Sequence, residues 1–258
     1  MIRTAVKIAY LGERFSGSQA QPDCRTVEGE VLSVLKTIMK IPEEEIDLRL
    51  ASRTDKGVNS LGNVAVFSSD IHDPEILLRA ANAVSKDVFF RCAASVDEGF
   101  NPRFADMRRY RYILRSEGMD VAAARSCAEL FVGEHDFIRF CRPNGRSTAL
   151  TLRSVDLRKE GDILILDFSA RYFLWNMIRR IVAAVSSVGK GDSALSDVRD
   201  ALEGKDITFG IARPDALTLL DIYYEGVEFI TPAADMFDRK VEEEMFRDRL
   251  RSMFFASL

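Results

Sequence analysis

From its second residue the chain alternates between apolar and polar positions. Val6, Ile8 and Tyr10 fall on one side and Lys7 and Ala9 on the other, which predicts a strand over residues 3–10. The period then changes. Val27, Val31, Val34, Leu35 and Ile38 recur at helical spacing behind Thr26, whose hydroxyl can cap a helix, so a helix is predicted over 27–39, with Pro42 ending the region. Ile46, Leu48 and Leu50 alternate with Asp47 and Arg49 and predict a second strand, and residues 63–67 a third. Asp73 followed by Pro74 is a helix start, with that helix running to about Ser85, and residues 88–93 read as a fourth strand. The order is β-α-β-β-α-β, the ferredoxin-like pattern.

The second half repeats that order: a strand at 110–114, a helix at 121–132, a hairpin of 150–157 with 163–169 turning at Gly161-Asp162, a helix at 173–188 and a strand at 219–224. The predicted fold is therefore α+β, with two ferredoxin-like halves over residues 1–100 and 101–258, joined near 98–107. No repeat is visible residue by residue. A tail over 233–255 places Met236, Phe237, Val241, Met245, Phe246 and Leu250 at amphipathic helical spacing, which suits packing on the body or on a partner subunit.

Composition narrows what such a fold can do. The chain has 258 residues, 47% of them hydrophobic, enough to bury a sizeable core. It has no apolar run of about 18 residues, and its first residues lack the apolar block of a signal peptide, so a cytoplasmic protein without a membrane span is expected. Cys24, Cys92, Cys127 and Cys141 form no C-x-x-C pair, and the two histidines, His72 and His135, have no partners in the sequence for a metal site or a Ser-His-Asp triad. Chemistry, if present, is left to carboxylates, Tyr, Lys or Arg. The net charge of −4 means that a nucleic-acid site would have to come from locally concentrated basic residues.

Three segments could carry chemistry. In residues 52–59, Arg53 and Lys56 flank Asp55 in a turn between two strands. Such a segment also reads as a solvated charged turn, but cations beside a carboxylate favour its charged form and hold it ready as a nucleophile. Residues 103–115 carry five arginines against one acid, with Tyr110 and Tyr112 on one strand face and Arg109 and Arg111 on the other. Arginine neutralises phosphate and tyrosine stacks on unpaired bases, although a charged edge strand would look alike. In residues 170–180, Leu174, Ile178 and Ile181 continue a core stripe, while Trp175, Asn176 and Arg179 share another face.

Taken together and in this order, these segments resemble the TruA family of tRNA pseudouridine synthases, in its archaeal-looking branch. The resemblance rests on Gly17-Ser18-Gln19, Arg53-Thr54-Asp55-Lys56-Gly57-Val58, Arg108-Arg109-Tyr110-Arg111-Tyr112, Gly133-Glu134-His135-Asp136-Phe137 and Phe173-Leu174-Trp175-Asn176-Met177-Ile178-Arg179-Arg180, and spans roughly residues 5–225. It implies antiparallel sheets meeting at a central cleft, and isomerisation of uridine to pseudouridine at positions 38, 39 and 40 of the tRNA anticodon stem-loop. It also implies a homodimer and no metal or cofactor. Asp55 would be the catalytic carboxylate. Tyr110 would stack on the target uracil and assist late proton removal, Arg179 would pair with Asp55, and Arg53 would hold open the space left by the flipped nucleotide. Thr54, Lys56, Arg109, Arg111, Asn176 and Arg180 would contact the RNA. The chain departs from the family at Asn59, where many members carry His, and at Ser18, where an aromatic is common; the stretch from Arg103 to Tyr110 is about one residue shorter than in bacterial relatives. The alternative is a structured-RNA-binding protein without catalysis, although binding alone has no need of a carboxylate among phosphate-binding cations. A ferredoxin-like small-molecule enzyme is a third reading, and would show no salt-sensitive tRNA binding.

Overall fold

The structure is a computed structural model that describes residues 1–145, 147–232 and 237–258. The tail positions 233–236, among them Met236 of the predicted amphipathic pattern, lie outside the described residues. The first half runs β1 (Ile2–Tyr10), α1 (Val27–Ile38), α2 (Glu43–Ile46), β2 (Arg49–Leu50), β3 (Asn59–Ser69), α3 (Pro74–Val84) and β4 (Val88–Val96). The second runs β5 (Met107–Arg115), α4 (Val121–Glu129), β6 (Gly133–Asp136), β7 (Ala149–Glu160), β8 (Ile163–Ala170), α5 (Met177–Gly189), α6 (Leu195–Leu202) and β9 (Leu217–Tyr223). The last helix is α7 (Asp238–Ala256).

Local chemistry explains most of these boundaries. Thr26 caps α1 by accepting a hydrogen bond from the Gly29 amide, and the Asp73 carboxylate accepts from Glu75 and Ile76 at the start of α3, where Pro74 has no amide to leave unpaired. The inward face of β1, Val6, Ile8 and Tyr10, closes a core with Val31 and Leu35 of α1 and Leu77, Leu78 and Ala81 of α3. A second core joins Tyr110, Tyr112, Leu164, Leu166 and Phe168 to Cys127 of α4 and Ile181 and Val185 of α5, and extends to Val64 and Val66 of β3.

Among the described residues the strands form one sheet of nine, in the order β4-β1-β3-β9-β5-β8-β7-β6, with β2 also on β3. The halves have matching orders, β4-β1-β3-β2 and β9-β5-β8-β7, which is the ferredoxin-like arrangement repeated. Pairing within each half is antiparallel. The halves are knit by a short parallel step in which Asn59 and Ser60 of β3 meet Thr218 and Leu219 of β9.

Several predicted boundaries move. The alternation at 46–50 is a strand only over Arg49–Leu50. Glu43, Glu44 and Glu45 behind Pro42 form a helical turn that buries Ile46, and Asp47 then takes a left-handed φ of 44°. The helix predicted from residue 173 starts at Met177, because Asn176 sits at φ 62° and breaks the approach. The helix predicted to reach 132 stops at Glu129, and β6 and the short α6 were not anticipated. The tail helix returns to the first half: Glu244 accepts from Arg14 at 2.5 Å, Lys240 donates to the Ser85 carbonyl at 3.0 Å and Phe237 meets Phe89 edge-on. Met245, Phe246, Leu250, Met253, Phe254 and Phe255 remain exposed along it. Among the described residues no helix is long and apolar enough to cross a membrane.

Candidate active site

The loop between β2 and β3 holds Asp55, and its backbone is fixed from beneath by buried polar groups. Asn63 of β3 is fully buried. Its Oδ1 accepts from the Ser52 amide (3.1 Å), and its Nδ2 donates to the Ser52 carbonyl (2.9 Å) and the Tyr10 hydroxyl (3.2 Å). Tyr10 also shares a hydrogen bond of 2.9 Å with the Thr54 hydroxyl. The Thr54 amide donates to Ser18 Oγ at 2.8 Å, and the Thr54 carbonyl accepts from the Ser18 amide at 3.0 Å. A buried polar group without a partner costs about 1–3 kcal/mol, so this set of satisfied groups fixes one loop conformation.

The far end of the loop is fixed by close backbone approach. A Cβ on Gly12 would lie 2.3 Å from the Val58 carbonyl oxygen, so only glycine lets the first loop pass here. Asn59 accepts from the Gly12 amide at 2.9 Å and donates to the Asp215 carbonyl at 2.9 Å, tying the loop to the segment before β9. Two of the departures from the family pattern, Ser18 and Asn59, are thus both residues that hold the Asp55 loop.

The second half supplies what faces the carboxylate. Trp175 Nε1 donates to Asp55 Oδ1 at 3.2 Å and Arg179 Nη1 donates to Asp55 Oδ2 at 3.4 Å. Arg179 is itself aimed by two contacts: its Nε donates to the Ala212 carbonyl (2.7 Å) and its Nη1 to Asn176 Oδ1 (3.3 Å). The left-handed Asn176 sets this up, because it turns the chain so that Trp175 and Arg179 converge on one carboxylate from either side of the helix start. The Trp175 ring carries the Arg142 guanidinium at 4.2 Å, and its carbonyl accepts from the Arg142 amide at 2.8 Å. Asp55 keeps 39% of its side chain exposed, open to an incoming group.

Tyr110 is buried beside this centre, edge-on to Phe173 with centroids 5.1 Å apart. Burial pushes its phenol up to about 12, while the Arg108 guanidinium and the Ser52 hydroxyl pull in the opposite direction. Asp55 is near enough for its charge to oppose loss of the phenol proton.

Of the residues expected from the sequence, Asp55, Thr54, Asn176 and Arg179 come together directly, with Tyr110 alongside. Arg53 and Lys56 flank Asp55, exposed and in no ion pair among the described residues. Arg180 follows Arg179 into α5, its Nε buried and without a hydrogen-bond partner among the described residues. Arg109 and Arg111 lie on the opposite face of β5 from Tyr110; Arg109 is exposed, and Arg111 is bound to Asp167. Trp175 and Arg142 were not assigned to the site from sequence. Trp175 had a signal, as the chain's single tryptophan standing off the apolar stripe beside Asn176; Arg142 had none.

A family model described as tRNA pseudouridine synthase matches residues 127–225. The tRNA pseudouridine synthase A of Pyrococcus abyssi is 39% identical over 98% of this chain and 97% of its own length. That of Thermococcus sibiricus is 40% identical over 99% and 96%, and that of Archaeoglobus fulgidus 37% identical over 89% and 86%. A solved archaeal box H/ACA sRNP Nop10-Cbf5 complex is only weakly similar, with a TM-score of 0.35 and 9% identity over 71% of this chain and 43% of that one. A carboxylate presented by one half and gripped by a tryptophan and an arginine from the other therefore sits in a chain that belongs to the tRNA pseudouridine synthase A family.

Proposed function

We propose that this protein isomerises uridine to pseudouridine in the anticodon stem-loop of tRNA, at positions 38, 39 and 40, with Asp55 as the catalytic carboxylate. The observation that carries the reading is the pair of donors on Asp55. Trp175 holds one of its oxygens and Arg179 the other, and the carboxylate still stays partly exposed. Hydrogen bonds to both oxygens hold a carboxylate in one orientation, which a nucleophile in a defined attack geometry needs.

The reaction is balanced without a co-reactant. The bond from C1′ to N1 breaks, the uracil turns, a bond from C1′ to C5 forms, the C5 proton leaves and N1 takes one up. Asp55 attacks the nucleotide at the base or at C1′ and is released at the end. The target base must leave its stack, which costs a few kcal/mol and requires replacement contacts. Exposed Trp175, with Arg142 over its ring, offers an aromatic surface for that purpose, and Phe173, partly exposed and edge-on to the buried Tyr110, offers a second. Arg53 and Lys56, in no ion pair among the described residues, suit the flanking phosphates, with Arg53 filling the space the flipped nucleotide leaves. For Tyr110 to accept the C5 proton its own proton must first go, and Arg108 and Ser52 ease that step.

The test is to treat unmodified tRNA with the protein and map pseudouridine. Asp55→Asn should lower the rate by about 10³-fold or more while tRNA binding persists, since the charge and nucleophile go but the shape stays. Full activity in that variant would sink the reading. The same reading includes a homodimer whose two copies grip one tRNA, and sedimentation that finds a fully active monomer would refute this part.

A further inference from the structure

Arg108 lies in this site and the reaction as written does not require it to touch substrate. It is 6% exposed, and among the described residues no carboxylate lies within ion-pair distance of it. A buried guanidinium without a counter-charge costs stability, so four donated hydrogen bonds must hold it. Nε donates to Ser52 Oγ at 3.0 Å, Nη1 to the Arg171 carbonyl at 2.5 Å, and Nη2 to the carbonyls of Arg103 at 2.9 Å and Ala51 at 3.4 Å.

The places these acceptors occupy give the pattern meaning. Ala51 and Ser52 begin the loop that presents Asp55. Arg103 and Arg108 itself flank the entry of β5, which presents Tyr110. Arg171 follows the end of β8, where Arg108 pairs with Ala170, and opens the segment that presents Trp175 and Arg179. Ser52 is the junction: Asn63 holds its backbone from the first half and Arg108 holds its side chain from the second. Only a planar fork with donors in fixed directions can reach three chain segments at once; an ammonium group is a point charge.

We infer that Arg108 is a positioning residue, whose guanidinium sets the Asp55 loop, the Tyr110 strand and the segment carrying Trp175 and Arg179 at their working separation. The inference rests on the proposed role of Asp55. It separates placement of the catalytic groups from binding of the RNA, because a group buried under the site has no phosphate to meet.

The test uses the full chain and unmodified tRNA, measuring the single-turnover rate and tRNA affinity separately, with thermal unfolding as a check on folding. Arg108→Lys keeps the charge and loses the fork. Its rate should fall by about 10²-fold, since misplacement by about 1 Å has that effect. Its tRNA affinity should stay within about threefold, because the cationic surface is unchanged. Ser52→Ala removes one acceptor and should slow the reaction by about fivefold, again without loss of affinity. An Arg108→Lys protein with a rate within about threefold of the parent overturns the inference. A rate loss mirrored by an equal loss of affinity overturns it as well, since Arg108 would then be an RNA contact. If Arg108→Lys fails to fold, Ser52→Ala decides, and a parental rate there is the overturning result. Failure of the underlying reading looks different: a parent protein that makes no pseudouridine in tRNA, or a fully active Asp55→Asn variant.

Discussion

On the outer face of β5, Arg111 reaches Asp167 with hydrogen bonds of 2.7 and 2.8 Å, and Arg158 meets the same carboxylate from β7. On the inner face of the same strand, Arg108, Tyr110 and Tyr112 are buried, and their partners are a hydroxyl, carbonyls and aromatic edges. Both faces carry arginine. The outer arginine has a counter-charge and solvent, and such pairs contribute about 0–1 kcal/mol. The inner arginine has neither, so its place is explained by what it holds together. Residue type therefore says little about role in this strand, and the surroundings say most of it.

Four measurements test whether the two faces differ in this way. The largest effect is expected for Tyr110→Phe on the inner face. Product formation should fall by about 10²-fold with tRNA affinity nearly unchanged, because the ring stays and the proton acceptor goes. A parental rate would remove Tyr110 from the chemistry. Next comes alkaline stability. Burial raises the phenols of Tyr10, Tyr110, Tyr112 and Tyr224. The folded state therefore holds these protons where the unfolded state has released them. Their contribution is fully present below pH of about 10 and is lost as pH rises through the raised values, Tyr110 alone accounting for about 2–3 kcal/mol. Melting temperatures recorded from pH of about 9 to about 12 should fall steadily; a flat curve would contradict the burial of these groups.

The third measurement is Tyr112→Phe, which deletes the hydrogen bond from the Tyr112 hydroxyl to the Arg213 carbonyl and should destabilise by about 1 kcal/mol in chemical denaturation. The smallest effect belongs to the outer face. Arg111→Ala leaves Asp167 with Arg158, so stability should change by no more than about 0.5–1 kcal/mol and tRNA affinity by less than about threefold. A tenfold loss of affinity with a shallower salt dependence would instead make Arg111 a phosphate contact.

Much of the fold was legible because it depends on local chemistry. Thr26 and Asp73 announce the helices they cap, and the alternation in β1 points to the face that α1 and α3 cover. Where local signals compete, the pattern misleads. Ile46, Leu48 and Leu50 alternate, yet three glutamates after a proline favour a helical turn that claims Ile46. The stripe through Leu174 and Ile178 runs on across Asn176, where the backbone turns left-handed. The short α6 has only Val198 and Ala201 buried, too little apolar signal to stand out. In the site, Asp55 and Arg179 were recognisable through family resemblance. Arg108 was visible as the first residue of a matching motif, with no role attached to it, and Asn63 as a polar residue in an apolar strand. Their roles are made of contacts up to 63 positions away, and no local pattern encodes those.

The parallel step between β3 and β9 also sets a schedule. The carboxylate loop leaves the ribosome early, but Arg179 follows it by 124 positions and the β9 residues that flank Asn59 come later still. A nascent chain therefore carries the Asp55 carboxylate for most of its synthesis without the groups that hold it in place. The last strand of the sheet closes the seam beside that loop, so the surroundings of the carboxylate are completed late rather than built up along the chain.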